Sequence, residues 1–211
     1  MRIKLFVMLL CLSSSVSAGW TGISGFIGSG ESDWAVADKH WQSEFTHYGL
    51  SIEDKTEVDI RVGASAAQFD LRLTQIGNRQ NIEKYSGNQY SLYLRWPIEL
   101  TRTVKWHSDL HFVYHKGDSL GQANDAIIQW NEWVLNLGIS VQMGRLSLRP
   151  FINLRNLDGD IADTGIRLLK LVNARSSGVI ADYTIEPSAF IRLRYIGAEN
   201  PSIQVSLVRQ Y

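Results

Sequence analysis

YSLYLRWPIELTRTVKWHSDLHFVYH, residues 90–115, alternates in polarity with a period of two on both sides of a short polar break. Tyr90, Leu92, Leu94, Trp96, Ile98 and Leu100 are apolar, with Ser91, Tyr93, Arg95 and Glu99 between them. After the break, Val104, Trp106, Leu110, Phe112 and Tyr114 alternate with Lys105, His107, Asp109, His111 and His115. Successive side chains of a strand point to opposite faces, whereas a helix repeats every 3.6 residues. The stretch therefore reads as two antiparallel amphipathic strands joined by a tight turn at Thr101-Arg102-Thr103.

The same period extends in both directions. It runs through Trp133, Leu135, Leu137, Ile139, Val141 and Met143, then Leu146, Leu148, Ile152 and Leu154. It continues through Val179, Ala181, Tyr183 and Ile185, then Ile191, Leu193 and Tyr195, and finally Ile203, Val205 and Leu207. Ten strands are predicted, near 20–28, 44–53, 57–74, 90–100, 104–116, 129–143, 146–156, 178–186, 189–197 and 202–211, with eight to twelve as the range. Tight turns around Asp54-Lys55-Thr56, Thr101-Arg102-Thr103, Gly144-Arg145 and Pro187-Ser188 alternate with longer polar loops at 29–43, 76–89, 116–128 and 157–177. Short turns on one side and long loops on the other are the form of an all-β, antiparallel, up-and-down transmembrane β-barrel. Two local features complete the reading. The apolar parity of the third strand switches between Val58, Ile60, Val62 and Phe69, Leu71, Leu73, which predicts a β-bulge across Gly63–Ala67. In the 157–177 loop, Ile166, Leu169 and Val172 fall at helical spacing, which predicts a short surface helix capped by Asp163 or Thr164.

A chain of 211 residues suits one domain. Residues 1–18 have the parts of a secretory signal peptide: Arg2 and Lys4, an apolar run from Leu5 to Leu12, and small residues up to Val16-Ser17-Ala18. The expected mature domain is residues 19–211. Lysine plus arginine and aspartate plus glutamate each number 21, so loss of Arg2 and Lys4 leaves a formal charge of −2. That balance does not point to nucleic acid. The single cysteine, Cys11, falls within the signal segment, so the mature chain has neither disulfide nor thiolate chemistry. A mean hydropathy of −0.11, with no unbroken apolar span after residue 18, excludes a helical membrane protein but not a barrel, whose strands are each half apolar.

Alternation alone leaves open whether the apolar face meets lipid or the core of a soluble, lipocalin-like barrel. Two features favour lipid. Aromatic residues stand near the ends of the apolar faces, with Trp96 and Trp106 towards a tight turn and Tyr90, Tyr114, Trp133 and Tyr195 towards the long loops. Such rings form the girdles of membrane barrels, and Trp106 to Tyr114 spans roughly 20 Å along the normal at ~3.3 Å per residue and ~40° tilt. The second feature is PSIQVSLVRQY, residues 201–211, in which Ile203, Val205, Leu207 and Tyr211 keep one parity and only Arg209 departs from it. This resembles the C-terminal assembly signal of bacterial outer-membrane proteins, whose last strand alternates apolar residues and ends in Phe or Tyr. The resemblance is to that broad class and implies export to the outer membrane, handling by the barrel-assembly machinery, and contact with outer-membrane lipids and lipopolysaccharide.

Lys105, His107, Asp109, His111 and His115 share one face of one strand and, with Arg95 and Arg149, form a candidate polar cluster of the lumen. Histidines four residues apart on a strand sit ~13 Å from each other, too far to share a metal ion, so the expectation is an ionic brace with no metal and no cofactor. Lipid A deacylases set a serine and a histidine two apart on one strand, whereas His107 and Ser108 are adjacent here and face opposite ways. Omptin-like proteases carry acidic residues and a histidine at the outer rim, and Asp118, Asp125, Asp158, Asp160 and His115 are the residues available for such a set. The sequence assigns no catalytic residue. Its first functional expectation is a structural or surface-interaction barrel acting through loops 29–43 and 157–177. An outer-membrane enzyme acting on lipid A or peptides, and a narrow channel, stand as alternatives.

Overall fold

The computed structural model describes residues 21–56, 58–78, 80–121, 125–197 and 200–211, so the predicted signal peptide lies outside the described residues. Eleven strands are described: β1 Thr21–Val36, β2 Lys39–Lys55, β3 Arg61–Gln75, β4 Ile82–Glu99, β5 Val104–Ser119, β6 Ile127–Met143, β7 Leu146–Ala162, β8 Ile166–Leu171, β9 Arg175–Glu186, β10 Ala189–Ile196 and β11 Ser202–Gln210. All neighbours are antiparallel. β1 closes on β11 from Gly22↔Gln210 to Gly30↔Ser202, giving the predicted ten-stranded up-and-down barrel of β1–β7 and β9–β11.

The eleventh strand changes the shape of one end. β8 replaces the predicted surface helix: it pairs with β7 from Asp158↔Lys170 to Ala162↔Ile166, and with β1 from Trp34↔Leu171 to Val36↔Leu169. Leu169 points into the barrel while Ile166 and Leu168 point out, so the spacing that resembled a helix is a strand with both faces partly apolar. The β10–β11 hairpin is short and stops below this level. Above its tip β8 meets β1 directly, and the ring there contains eight strands, β1–β8. The barrel is therefore ten-stranded at the end with the short turns and eight-stranded at the other. The junction is stitched by main-chain bonds from Glu31 N to Pro201 O (2.8 Å) and from Val172 N to Asp33 O (3.0 Å). Asn200, almost fully buried, adds a bond from its Nδ2 to Asn173 O (3.0 Å).

Polarity inverts along the barrel axis. In the ten-stranded part the apolar face points outward, with Leu50 65%, Ile27 63% and Ile152 58% exposed. A contiguous apolar surface of this kind is far beyond what a soluble monomer leaves uncovered, and a lipocalin-like core would require the opposite orientation. In the eight-stranded part the outward residues Glu44, Arg72, Lys84, Lys116 and Asp158 are exposed and polar, while Trp34, Trp41, Leu71, Leu73, Tyr85, Ile128, Trp130, Ile161 and Leu169 are buried together inside.

This inversion corrects two sequence expectations. The parity switch in the third strand involves no bulge, because β3 keeps unbroken register with β2 from Lys55↔Arg61 to Trp41↔Gln75 and with β4 from Arg61↔Arg95 to Thr74↔Ile82. Val62 faces out and Phe69, Leu71 and Leu73 face in; what changes is the environment and not the pleat. The expected loops at 29–43, 76–89, 116–128 and 157–177 are largely strand, with tight connections such as Ala37-Asp38 at the tip of the β1–β2 hairpin. Strands of 15–18 residues, as in β3 and β4, are much longer than the ~9–11 needed to cross a bilayer, so each projects well beyond the apolar belt.

Candidate functional site

The interior has three tiers, and each follows from strand number. Eight strands leave a bore that side chains fill, whereas ten leave room to spare. Accordingly the eight-stranded end is plugged by an apolar core. Within it Phe45, Phe69, Trp34 and His115 contact Trp130 in ring pairs, His115 lying flat on the indole at 4.0 Å between centroids and 7° between planes. Above the plug Arg167 of β8 reaches across the bore to Glu83 of β4 through two bonds of 2.8 and 3.0 Å, and also pairs with Asp163 at 3.0 Å. Tyr85 donates its hydroxyl to the same Glu83 at 2.7 Å. Burial pushes the Tyr85 phenol above its ordinary pKa, and the adjacent Glu83 carboxylate adds to the shift.

Below the plug the ten-stranded lumen holds an ionic chain. Glu53 bridges Arg61 (3.2 Å) and Arg95 (3.1 Å); Arg95 continues to Asp109 (3.3 Å), and Asp109 to Arg149 (3.1 Å). Alongside it, Asp182 receives two bonds from Arg192 (2.7 and 2.8 Å), and Glu132 pairs with Arg155. A polar relay lies next to Asp109 in the β5–β6 register: Asn153 Nδ2 and Arg194 Nη2 both donate to Asn136 Oδ1, at 2.7 and 3.0 Å, and Ser176 donates to Asn153 Oδ1 at 3.1 Å. The Tyr93 ring lies over Gly63, where a Cβ would collide with it, and stacks on His111 with centroids 5.3 Å apart. Next to this network is a cavity of about 270 Å³, lined on one side by the small residues of β1 and on the other by the arginines.

The candidate cluster read from the sequence is split by the structure. Arg95, Asp109 and Arg149 come together as the centre of the ionic chain. His107 is beside it, with Nε2 hydrogen-bonded to Ser140 Oγ at 2.8 Å, and His111 is engaged with Tyr93. Lys105 stands at the short-turn rim against Glu99 (2.6 Å), and His115 belongs to the plug. Among the described residues no three His, Cys, Asp or Glu side chains converge as metal donors. The residues considered for an omptin-like set do not meet either, since His115 faces the bore while Asp118 and Asp158 face outward. Tyr90, Trp96, Tyr114, Trp133 and Tyr195 stand on the outer face; Tyr90 pairs directly with Tyr114, and the Trp133 and Phe112 rings are 4.8 Å apart. Trp106 is half-buried, its indole N–H donating to Ser108 Oγ at 3.0 Å. Ile203, Val205, Leu207 and Tyr211 are likewise exposed.

Sequence reasoning did not single out the counter-ions Glu53 and Glu132, the Arg167–Glu83 clamp, or the plug. Ion partners are set by cross-strand register, which polarity alternation alone does not reveal. The plug did leave a signal, namely the parity switch of β3.

No family model matches the chain, and comparison with curated proteins finds no match. Among solved structures, the chain is similar to the outer-membrane protease OmpT from Escherichia coli, with a TM-score of 0.54 at 10% identity over 93% of this chain and 98% of that one. It is also similar to the translocator domain of the autotransporter NalP from Neisseria meningitidis, with a TM-score of 0.51 at 12% identity over 99% and 95%. These likenesses establish the fold, an outer-membrane type of β-barrel.

Proposed function

We propose that the protein is an integral outer-membrane barrel that acts at the cell surface through its eight-stranded projection rather than through its lumen. The observation that carries this reading is the pairing of a filled bore with an exposed apolar patch on the projection. Ile127, Ala162 and Ile166 are register neighbours across β6, β7 and β8, and Leu168 lies beside them. Ile166 is 75% and Leu168 60% exposed. Above an apolar belt, where every other strand shows charge to solvent, a row of this kind fits a contact surface. In the same reading the belt meets outer-membrane lipid and lipopolysaccharide, and the barrel-assembly machinery receives the last strand. The fold likeness to a surface protease leaves an enzymatic reading available, but the rim side chains discussed above do not form a site for it.

The test uses the absence of cysteine beyond Cys11. A single cysteine at Asp163, in the β7–β8 turn, is expected to react with a membrane-impermeant maleimide in intact cells, and one at Asp59, in the β2–β3 turn, only after permeabilisation. The reverse labelling pattern would sink the proposal, as would recovery of the protein in the soluble periplasmic fraction. Heat-modifiable migration of the detergent-folded protein checks the barrel independently.

A further inference from the structure

We infer that the lumen cavity is a binding site for a small oxyanion, for which inorganic phosphate is the probe. Among the described residues the lumen network sets six arginines, Arg61, Arg95, Arg149, Arg155, Arg192 and Arg194, against four carboxylates, Glu53, Asp109, Glu132 and Asp182, while a fifth carboxylate that lines the cavity, Glu31, accepts from Gln42 at 3.1 Å. Two of the four are already shared, Glu53 by Arg61 and Arg95, and Asp109 by Arg95 and Arg149. Arg194 makes no ion pair among the described residues. It donates Nη2 to the neutral Asn136, its guanidinium lies 5.2 Å from the centre of the Phe151 ring, and its Nε is enclosed without a hydrogen-bond partner. A guanidinium has five donors in a planar fork matched to oxyanions, and a charge held away from bulk water needs a partner.

Space for that partner is adjacent. Arg149, Arg155, Arg192 and Arg194 all line the cavity, and the β1 wall includes the small residues Ser24, Gly30 and Ser32, which take up little of it. The cavity arises because two more strands surround the lumen here than at the plug. At about 270 Å³ it falls just below the ~300–1,000 Å³ of drug-sized ligand sites, and so suits one phosphate, sulfate or small carboxylate with water rather than a whole amphiphile. The plug closes the eight-stranded end, so exchange runs through the ten-stranded end.

The full chain folded in an uncharged detergent, titrated with inorganic phosphate at constant ionic strength in sodium chloride, is expected to show saturable one-site binding by calorimetry. Arg194→Gln is expected to weaken it at least tenfold. Ser206→Asp, which places a carboxylate next to Arg192 in the β10–β11 register, is expected to abolish binding while keeping heat-modifiable migration, so loss of the site is distinguished from loss of the fold. Arg209→Gln, at the rim, is expected to leave affinity unchanged. A second arm titrates dihexanoyl phosphatidic acid below its micellar concentration. Binding of inorganic phosphate identifies a soluble ion as the occupant, and binding of the lipid alone identifies a headgroup. Absence of saturable binding in both arms, or equal affinity in folded Ser206→Asp, overturns the inference.

Discussion

Asp109 is the residue on which most of the lumen's charge pairing turns, since it forms an ion pair with Arg95 on one side, accepts a hydrogen bond from Arg149 on the other and is almost fully buried. Removing one member of such a buried set leaves an uncompensated charge and costs roughly 3–5 kcal/mol, whereas an exposed pair contributes ~0–1. Asp109→Asn is therefore expected to lower the urea unfolding midpoint strongly, and Lys105→Gln, which breaks the exposed pair with Glu99, hardly at all. A different cost sits at the tip of the β1–β2 hairpin, where Ala37 and Asp38 have φ of 47° and 65°. Both values are those of a two-residue turn that favours Asn-Gly, and a left-handed conformation costs an L residue about 1–2 kcal/mol. The double substitution Ala37→Asn, Asp38→Gly is expected to raise the midpoint. Tyr85, in the projection and clear of the apolar belt, supplies a pH dependence. Its phenol holds its proton more tightly in the fold than in the unfolded chain, so its contribution is complete below the unfolded pKa of ~10 and declines as pH rises beyond it. The alkaline loss of stability is expected to be smaller in Tyr85→Phe than in the parent.

At the scale of elements, the β10–β11 hairpin and β8 divide one gap between them. Asn200 anchors the hairpin tip to the β8–β9 connection, and Glu31 and Val172 close the seam with main-chain bonds. Loss of the Asn200 amide leaves Asn173 O without that donor at a buried junction, at a cost of about 1–3 kcal/mol. Asn200→Ala is expected to accelerate hydrogen exchange at the amides of Glu31 and Val172 while leaving β3 and β4 protected; uniform acceleration would count against a local seam. Which elements were legible in the sequence follows the same division. Ten strands and their short turns could be read because residues such as Leu92, Leu94 and Trp96 alternate against a uniform apolar surround. Beyond Tyr90 the surround becomes water and the pattern reverses, so Lys84 and Tyr85 exchange the roles that Leu94 and Arg95 hold lower down. Polar outward residues on 29–43 and 76–89 consequently resembled loops, and β8, apolar on both faces at Leu168 and Leu169, resembled a helix. In the lumen, Arg95, Asp109 and Arg149 could be grouped from their shared face, but Glu53 could not, because its partners depend on the register of β2 with β3 and on the curvature that brings β4 within reach.

For the molecule as a whole, the filled projection decides permeation. The parent protein is expected to give no steady conductance in planar bilayers, while replacing both Trp34 and Trp130 by alanine, which empties the centre of the plug, is expected to produce discrete steps. Each truncation costs ~3–5 kcal/mol in the core, so the variant is to be checked for heat-modifiable migration first. Steps of equal size in the parent would show that ions pass by another route.

The short C-terminal hairpin has a consequence for how this shape is specified. Every strand of the eight-membered ring precedes residue 172, and the ring closes through contacts between β8 and β1 alone. Residues 187–211 act as a wedge driven into the wall from one end, increasing the girth at their own height and nowhere else. A tapered vessel, wide at its base and solid at its top, thus needs no special curvature in the long strands. Its profile depends on the length of a single late segment, and extending or trimming that hairpin by pairs of residues would move the floor of the stopper up or down the same shaft.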